Sequence, residues 1–238
     1  MIALTFALPQ ESTALVALLR GRQMVESGPL PVLRGSVAAC EIMVLHHGIG
    51  AACSEARVAR FLNLHRPEIL ISSGFAGGLD PGLRVGDIVF AENFSDPALI
   101  DKMRRVKPEE ARAQFGALTT QPLAAETVAA KARLFRETGA LAVDMETAGI
   151  RALCEQSGVR MLSVRAISDT AAQRLPVPFP DWFDAKRQTP RIGGLLWFLA
   201  QHPGTIAEFA RFASGTFRAR QSLGSCLVQV VEALELAG

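Results

Sequence analysis

The sequence predicts an α/β fold on a largely parallel or mixed sheet. Short apolar runs alternate with stretches of helical spacing along most of the chain, as when strands are followed by crossover helices. Two glycine-rich segments, HHGIG at 46–50 and SSGFAGGLDPG at 72–82, adjoin such runs. Acidic residues gather at the ends of the runs: Glu11, Asp144, Glu146 and Asp169. Ligand sites in such sheets form at the carboxyl ends of strands, so the glycines and the acids support the same architecture.

Ile2 to Leu8 reads as the first strand, and Glu11 to Leu19 as a helix with Leu15, Leu18 and Leu19 on one face. Val32 to His47 reads as paired strands, Leu33–Val37 and Glu41–Leu45. Gly48-Ile49-Gly50 turns into a helix from Ala51 to Leu64. Ile69–Ile71 is a buried strand ending in a glycine-rich loop, and Val85–Phe90 is another strand. Ser95–Gln114 is polar and reads as a loop with one set of helical turns. Then come a helix at Ala124–Glu137, a strand at Ala140–Val143, a helix at Glu146–Gln156 and a strand at Arg160–Ile167 running into SDTA. A proline-broken aromatic loop, Leu175–Asp184, precedes a tail of helical spacing.

At 238 residues, 49% hydrophobic and 20% charged, the chain can bury a core and is not disordered. A net charge of +2 without a Lys/Arg block gives no argument for nucleic acid. Cys40, Cys53, Cys154 and Cys226 are far apart, form no CxxC pair and match no zinc spacing, so no metal site is expected. Buried reduced thiols fit a cytoplasmic protein. The N-terminus lacks the basic region of a signal peptide, and no segment offers ~18 uninterrupted apolar residues for a membrane span.

Each acid has a plain structural reading: Asp144 as a helix cap, Glu146 as a first-turn residue, Asp169 as a turn cap. Together they fit a sugar site better. A carboxylate can accept hydrogen bonds from both hydroxyls of a ribose, and leaving it unpaired is costly. A methionine supplies a soft apolar surface under the sugar. An Asp near a purine can protonate it as it leaves, while a Glu deprotonates water. That set would cleave an N-glycosidic bond.

LPQES, HHGIG, SSGFAGGLDPGLRVGDIV, AVDMETAGI and VRAISDTA occur in the order found in the purine nucleoside phosphorylase and nucleosidase superfamily, which residues 1–172 resemble. The closest branch is that of the methylthioadenosine/S-adenosylhomocysteine nucleosidases. TGALAVDMET, the proline-rich loop and QHPGTIAEFARFA resemble its hopanoid-associated group, which removes adenine from adenosylhopane. The resemblance implies a three-layer nucleoside phosphorylase-like fold with a mixed central sheet flanked by helices. Residues 1–186 would form the catalytic domain and 187–238 a helical extension packed on it. By the same resemblance Glu146 binds the ribose hydroxyls, Met145 packs on the sugar and Asp144 supports them. Asp169 is the acid to the purine N7, with Ser168 and Arg165 behind it, and Glu11 activates water. Phe75, Ala76 and Gly77 line the base pocket, Leu123 covers the base, Ala124 meets the purine edge, and Gly48 and Gly50 support the sugar side. No cofactor is implied. The expected assembly is a homodimer or larger, and the partner a nucleoside, lipid-linked in the narrower reading.

Two departures stand out. Phe75-Ala76-Gly77 replaces the nucleosidases' Ser-Ala-Gly, and Leu123 stands where they stack a phenylalanine. Phosphate is the co-substrate only in a phosphorylase, where His46 or His47 and Arg57 or Arg60 would hold it; Glu11 would repel the dianion and favours hydrolysis. Leu195 to Leu199, Phe209, Phe212 and Phe217 read as core or oligomer packing. Alternatively they form, with Pro178, Phe179, Trp182 and Phe183, an apolar mouth for a lipid substrate. In that reading Arg187, Arg191, Arg211, Arg218 and Arg220 would lie at a membrane surface.

Overall fold

The computed structural model describes residues 1–27, 30–106, 112–178, 183–184 and 189–235. Its centre is a ten-stranded mixed sheet. Along the main path lie β2 (Arg20–Ser27), β3 (Leu30–Val37), β4 (Cys40–His46), β1 (Ile2–Phe6), β5 (Ile69–Gly78), β10 (Arg160–Asp169), β6 (Ile88–Ala91) and β7 (Ala113–Gly116). β9 (Ala142–Asp144) pairs with the far end of β5 and with β8 (Leu118–Thr120). β4, β1, β5 and β10 run parallel, so their carboxyl ends open on one edge. Buried on both faces, β1 is apolar but for Thr5, as parallel strands are.

Helices cover both faces and make the three layers. On one side α1 (Pro9–Leu18), α3 (Pro97–Val106) and α7 (Ile206–Glu235) share a core with the sheet, including Leu15, Met103 and Leu227. On the other, α2 (Ala51–His65) and α5 (Thr147–Ser157) pack Phe61, Leu62, Ile150 and Cys154 against Leu45 and Leu70. α4 (Val128–Thr138) lies over β5 and β9 through Leu134, Leu79 and Val143. α7 crosses α1 so closely that a Cβ on Gly224 would meet the Ala14 Cβ at 2.6 Å; only glycine fits there.

Several expectations need correction. The SSGFAGG segment is not a loop: β5 continues to Gly78 because its backbone pairs with β10 and then with β9. β2 carries no strand signal in the sequence, because Arg20 to Met24 are exposed and the segment lacks an apolar alternation. The polar stretch after Ser95 holds all of α3. α4 starts at Val128 rather than Ala124, since Thr127 caps it by accepting the Ala130 N–H at 3.1 Å. Leu18 is exposed, so the buried face of α1 is set by Ser12 and Leu15. β6 begins at Ile88, later than the expected Val85. Among the described residues no helix is long and apolar enough to cross a membrane.

Candidate active site

Glu11 is placed by the start of α1. Pro9 opens the helix with its fixed φ. Glu11, two residues on, folds back so that the Leu8 N–H donates to its Oε2 at 2.9 Å. The Phe75 N–H of β5 donates to Oε1 at 3.0 Å. A Cβ on Gly74 would sit 3.0 Å from that same oxygen, which explains the glycine in this strand. Burial raises the Glu11 carboxyl above its ordinary range, opposed by the Leu8 and Phe75 amides and by Arg165.

Asp144 ends β9, and Glu146 stands immediately before α5. The Asp144 carboxylate is enclosed by donors. Arg165 Nε donates at 3.0 Å, the Thr120 hydroxyl at 2.8 Å and the Thr147 N–H at 3.2 Å. The Thr147 hydroxyl donates too. Arg165 also donates to the Ser72 carbonyl at 2.7 Å and to the Thr147 hydroxyl at 2.7 Å. Among the described residues Glu146 forms no ion pair; its Oε1 accepts the Gly50 N–H at 2.9 Å. Burial first, then the neighbouring Asp144, push Glu146 up to about 7.

Asp169 is the last residue of β10, where the register with β5 slips between Ile167 and Asp169. Such an irregularity re-aims a side chain. The Ser168 hydroxyl donates to Asp169 Oδ1 at 2.6 Å. Lys131, on α4 and fully buried, donates to Oδ2 and forms an ion pair with it. Its ammonium also donates to the Thr170 and Gln173 carbonyls, each at 2.9 Å.

The four carboxylates line one cavity of about 180 Å³, with Phe75, Ala76, Gly77, Leu123, Ala124, Met145 and Ser168. No lysine, arginine or histidine lines it among the described residues. It shares Glu11, Ile49, Phe75, Ser168, Leu175 and Phe212 with a second cavity of about 400 Å³. That one is walled by Leu8, Pro176, Val177, Leu195 and Phe209, with Arg220 as its one cation among the described residues. Arg220 Nε is buried without a hydrogen-bond partner there.

The structure thus gathers the sequence-selected residues around one space, with four corrections. Arg165 pairs with Asp144, not with Asp169, because its side chain turns toward Ser72 and Thr147. Leu123 is 77% exposed at the rim, so it does not enclose a base. Gly48 does not line the cavity; its N–H donates to the Ala7 carbonyl at 2.9 Å. Neither histidine of HHGIG reaches the cavity: His46 Nε2 bonds the Ser12 hydroxyl at 2.8 Å, and His47 bonds the Gly48 carbonyl at 2.8 Å. Burial holds His47 down to about 4, so it stays neutral at pH 7. Arg57 and Arg60 are exposed. Of the expected mouth, Phe183 is buried and Pro178 lines neither cavity, while Phe179, Trp182 and Arg187 lie outside the described residues. Sequence reasoning missed Lys131 and the hydroxyls of Thr120 and Thr147. The available signal was a lysine three residues before Leu134, on the buried face of a helix.

The parallel strands open their carboxyl ends on one edge, and the four acids converge there, as ligand sites do in α/β sheets. A family model described as the phosphorylase superfamily matches residues 1–96 and 92–189, and the chain belongs to that superfamily. A 5′-methylthioadenosine/S-adenosylhomocysteine nucleosidase of Tolumonas auensis is 26% identical over 200 residues, 68% of this chain and 84% of the relative. The same fold is seen in the Neisseria meningitidis nucleosidase in complex with methylthio-immucillin-A (TM-score 0.73, 20% identity, 97% of this chain and 98% of that one). A Streptococcus pyogenes S-adenosylhomocysteine nucleosidase gives a TM-score of 0.74 at 21% identity, covering 98% of this chain and 96% of that one. A Helicobacter pylori futalosine hydrolase gives 0.63 at 21% identity, covering 71% and 87%.

Proposed function

We propose that this enzyme hydrolyses the N-glycosidic bond of an adenine nucleoside carrying a large apolar 5′ substituent, with adenosylhopane as the best-fitting substrate. The observation that carries the reading is the junction of an acid-lined cavity with a larger apolar one. The acids and Met145 of the first suit a purine ribonucleoside, and the apolar walls of the second suit a hydrocarbon substituent. Glu146 accepts the ribose hydroxyls, and Met145 packs on the sugar. Glu11 takes a proton from water as the water oxygen bonds to C1′. The C1′–N9 electrons pass to the purine, which is protonated at N7 beside Asp169. Water is favoured over phosphate because the lining acids would repel a dianion and no cation lines the acid cavity among the described residues.

Helix α6 (Ile192–Gln201) extends the apolar wall outward. Leu195 faces the larger cavity, while Leu196 and Trp197 are exposed. This helix is the surface on which a membrane-held lipid would reach the site. A second reading, a soluble S-adenosylhomocysteine-type substrate, is favoured by Arg220, whose unpartnered Nε suits the carboxylate of an amino-acid tail.

The test is adenine release from detergent-dispersed adenosylhopane, methylthioadenosine and S-adenosylhomocysteine, each with and without phosphate. Phosphate-independent release from the lipid supports the first reading. Preference for S-adenosylhomocysteine that vanishes in Arg220→Met supports the second. Release only with phosphate overturns hydrolysis.

A further inference from the structure

Lys131 is a residue that the proposed chemistry leaves unused. It is completely buried, yet its ammonium has three acceptors: Asp169 Oδ2 and the carbonyls of Thr170 and Gln173. A lysine with three acceptors and no free lone pair is a cation, and removing it would strand a buried carboxylate. The two groups meet by design of the backbone. Lys131 comes from α4 and Asp169 from the irregular end of β10, and Gly77 lies against both. A Cβ on Gly77 would stand 3.4 Å from Asp169 Oδ2 and 3.7 Å from Lys131 Cε. The same ammonium ties down the turn that follows Asp169.

We infer that Lys131 is a positioning residue that keeps Asp169 a fixed carboxylate in the empty site, so that the proton reaching the purine N7 is a solvent proton taken up with the substrate. This rests on the nucleoside reading above. A carboxylate so held accepts a hydrogen bond from a ligand N–H at the 7 position and gives nothing to a ligand without one. Among the described residues, the other ionisable groups of the same cavity are Glu11 on α1, Asp144 on β9 and Glu146 before α5, with Arg165 on β10 paired to Asp144. Arg174, Glu208 and Arg211 line the adjoining cavity that Ser168 and Gln173 also border. Two probes that differ only in the base meet the same set of these groups, so the comparison between them isolates the contact at position 7.

Two uncleavable probes make the test. One is a 9-deazaadenine C-nucleoside, joined by a carbon–carbon bond and carrying N–H at position 7. The other is 7-deazaadenosine, with C–H there. Both carry the same 5′ group, and dissociation constants are measured at pH 7 for the wild type, Lys131→Met and Lys131→Arg. The wild type is expected to prefer the N–H probe by roughly 10- to 100-fold, the range of a hydrogen bond to a charged group. In Lys131→Met the desolvated Asp169 gains a proton, and the preference falls by about 10-fold. Lys131→Arg restores it. Equal affinity of the wild type for both probes overturns the inference even if neither variant folds. So does a Lys131→Met variant that loses the same factor for both, the mark of a merely structural lysine. A wild type that binds neither probe overturns the nucleoside reading and this inference with it.

Discussion

The four acids of the cavity fall into two pairs. Asp144 and Asp169 each hold a buried cation, Arg165 and Lys131. Among the described residues Glu11 and Glu146 hold none; they are tied by backbone N–H groups of Leu8, Phe75 and Gly50. Burial raises both glutamates, with their amide partners and Arg165 only partly offsetting it, and Glu146 reaches about 7, where it can exchange a proton near neutrality. The glutamates are the side of the site suited to proton transfer, and the ion-paired aspartates are its frame.

The largest effect should come from the unpaired side. Glu11→Gln keeps the shape and can still receive the Leu8 N–H, but cannot take a proton. It should lower kcat for adenine release by about 10²- to 10⁴-fold, with a smaller loss of stability because its amide nitrogen would face the Phe75 N–H. Equal loss in kcat and stability would make Glu11 a helix-capping residue and break the comparison. The paired side should respond inversely. Arg165→Met leaves the Asp144 carboxylate buried without its cation and should cost about 3–5 kcal/mol of stability in denaturant unfolding.

Glu146 gives a pH test. Its ordinary value of 4.5 is raised to about 7 in the folded protein. The folded state therefore binds this proton more tightly than the unfolded state. The stability linked to it is fully present below about pH 4.5 and is lost as pH rises through about 7. The ligand-free protein should become less stable across that window, and Glu146→Gln should flatten the slope. Nucleoside affinity should run the other way, rising through about pH 7 as the carboxylate form becomes available to the ribose hydroxyls. A wild-type profile as flat as that of the variant would place Glu146 with the aspartates.

The pairing explains what the sequence revealed. The alternation of apolar runs and helical stretches was enough to read the α/β architecture, because strands buried on both faces must be apolar. Glu11, Asp144, Glu146 and Asp169 could be selected because each sits at a strand end or beside one. Their partners could not. Arg165 lies only four residues before Asp169, and the resemblance put it behind that carboxylate; the fold sends it across β5 to Asp144. Lys131 is 38 residues from Asp169, inside a helix of ordinary composition. Long-range ion pairs leave no periodic trace, so the sequence displays the acids and conceals what neutralises them.

The smallest expected effect sharpens the division most. The Thr120 hydroxyl donates to Asp144 at 2.8 Å and accepts the Ala148 N–H at 3.1 Å, joining β8 to the first turn of α5. Thr120→Val keeps the volume and removes one of several donors to Asp144. With Arg165 and Thr147 still in place, the loss should be about 1 kcal/mol. Because the ion pair with Arg165 stays intact, this loss should be a fraction of that from Arg165→Met. A loss as large as that of Arg165→Met would mean that a buried counter-ion is not what separates frame from chemistry in this site.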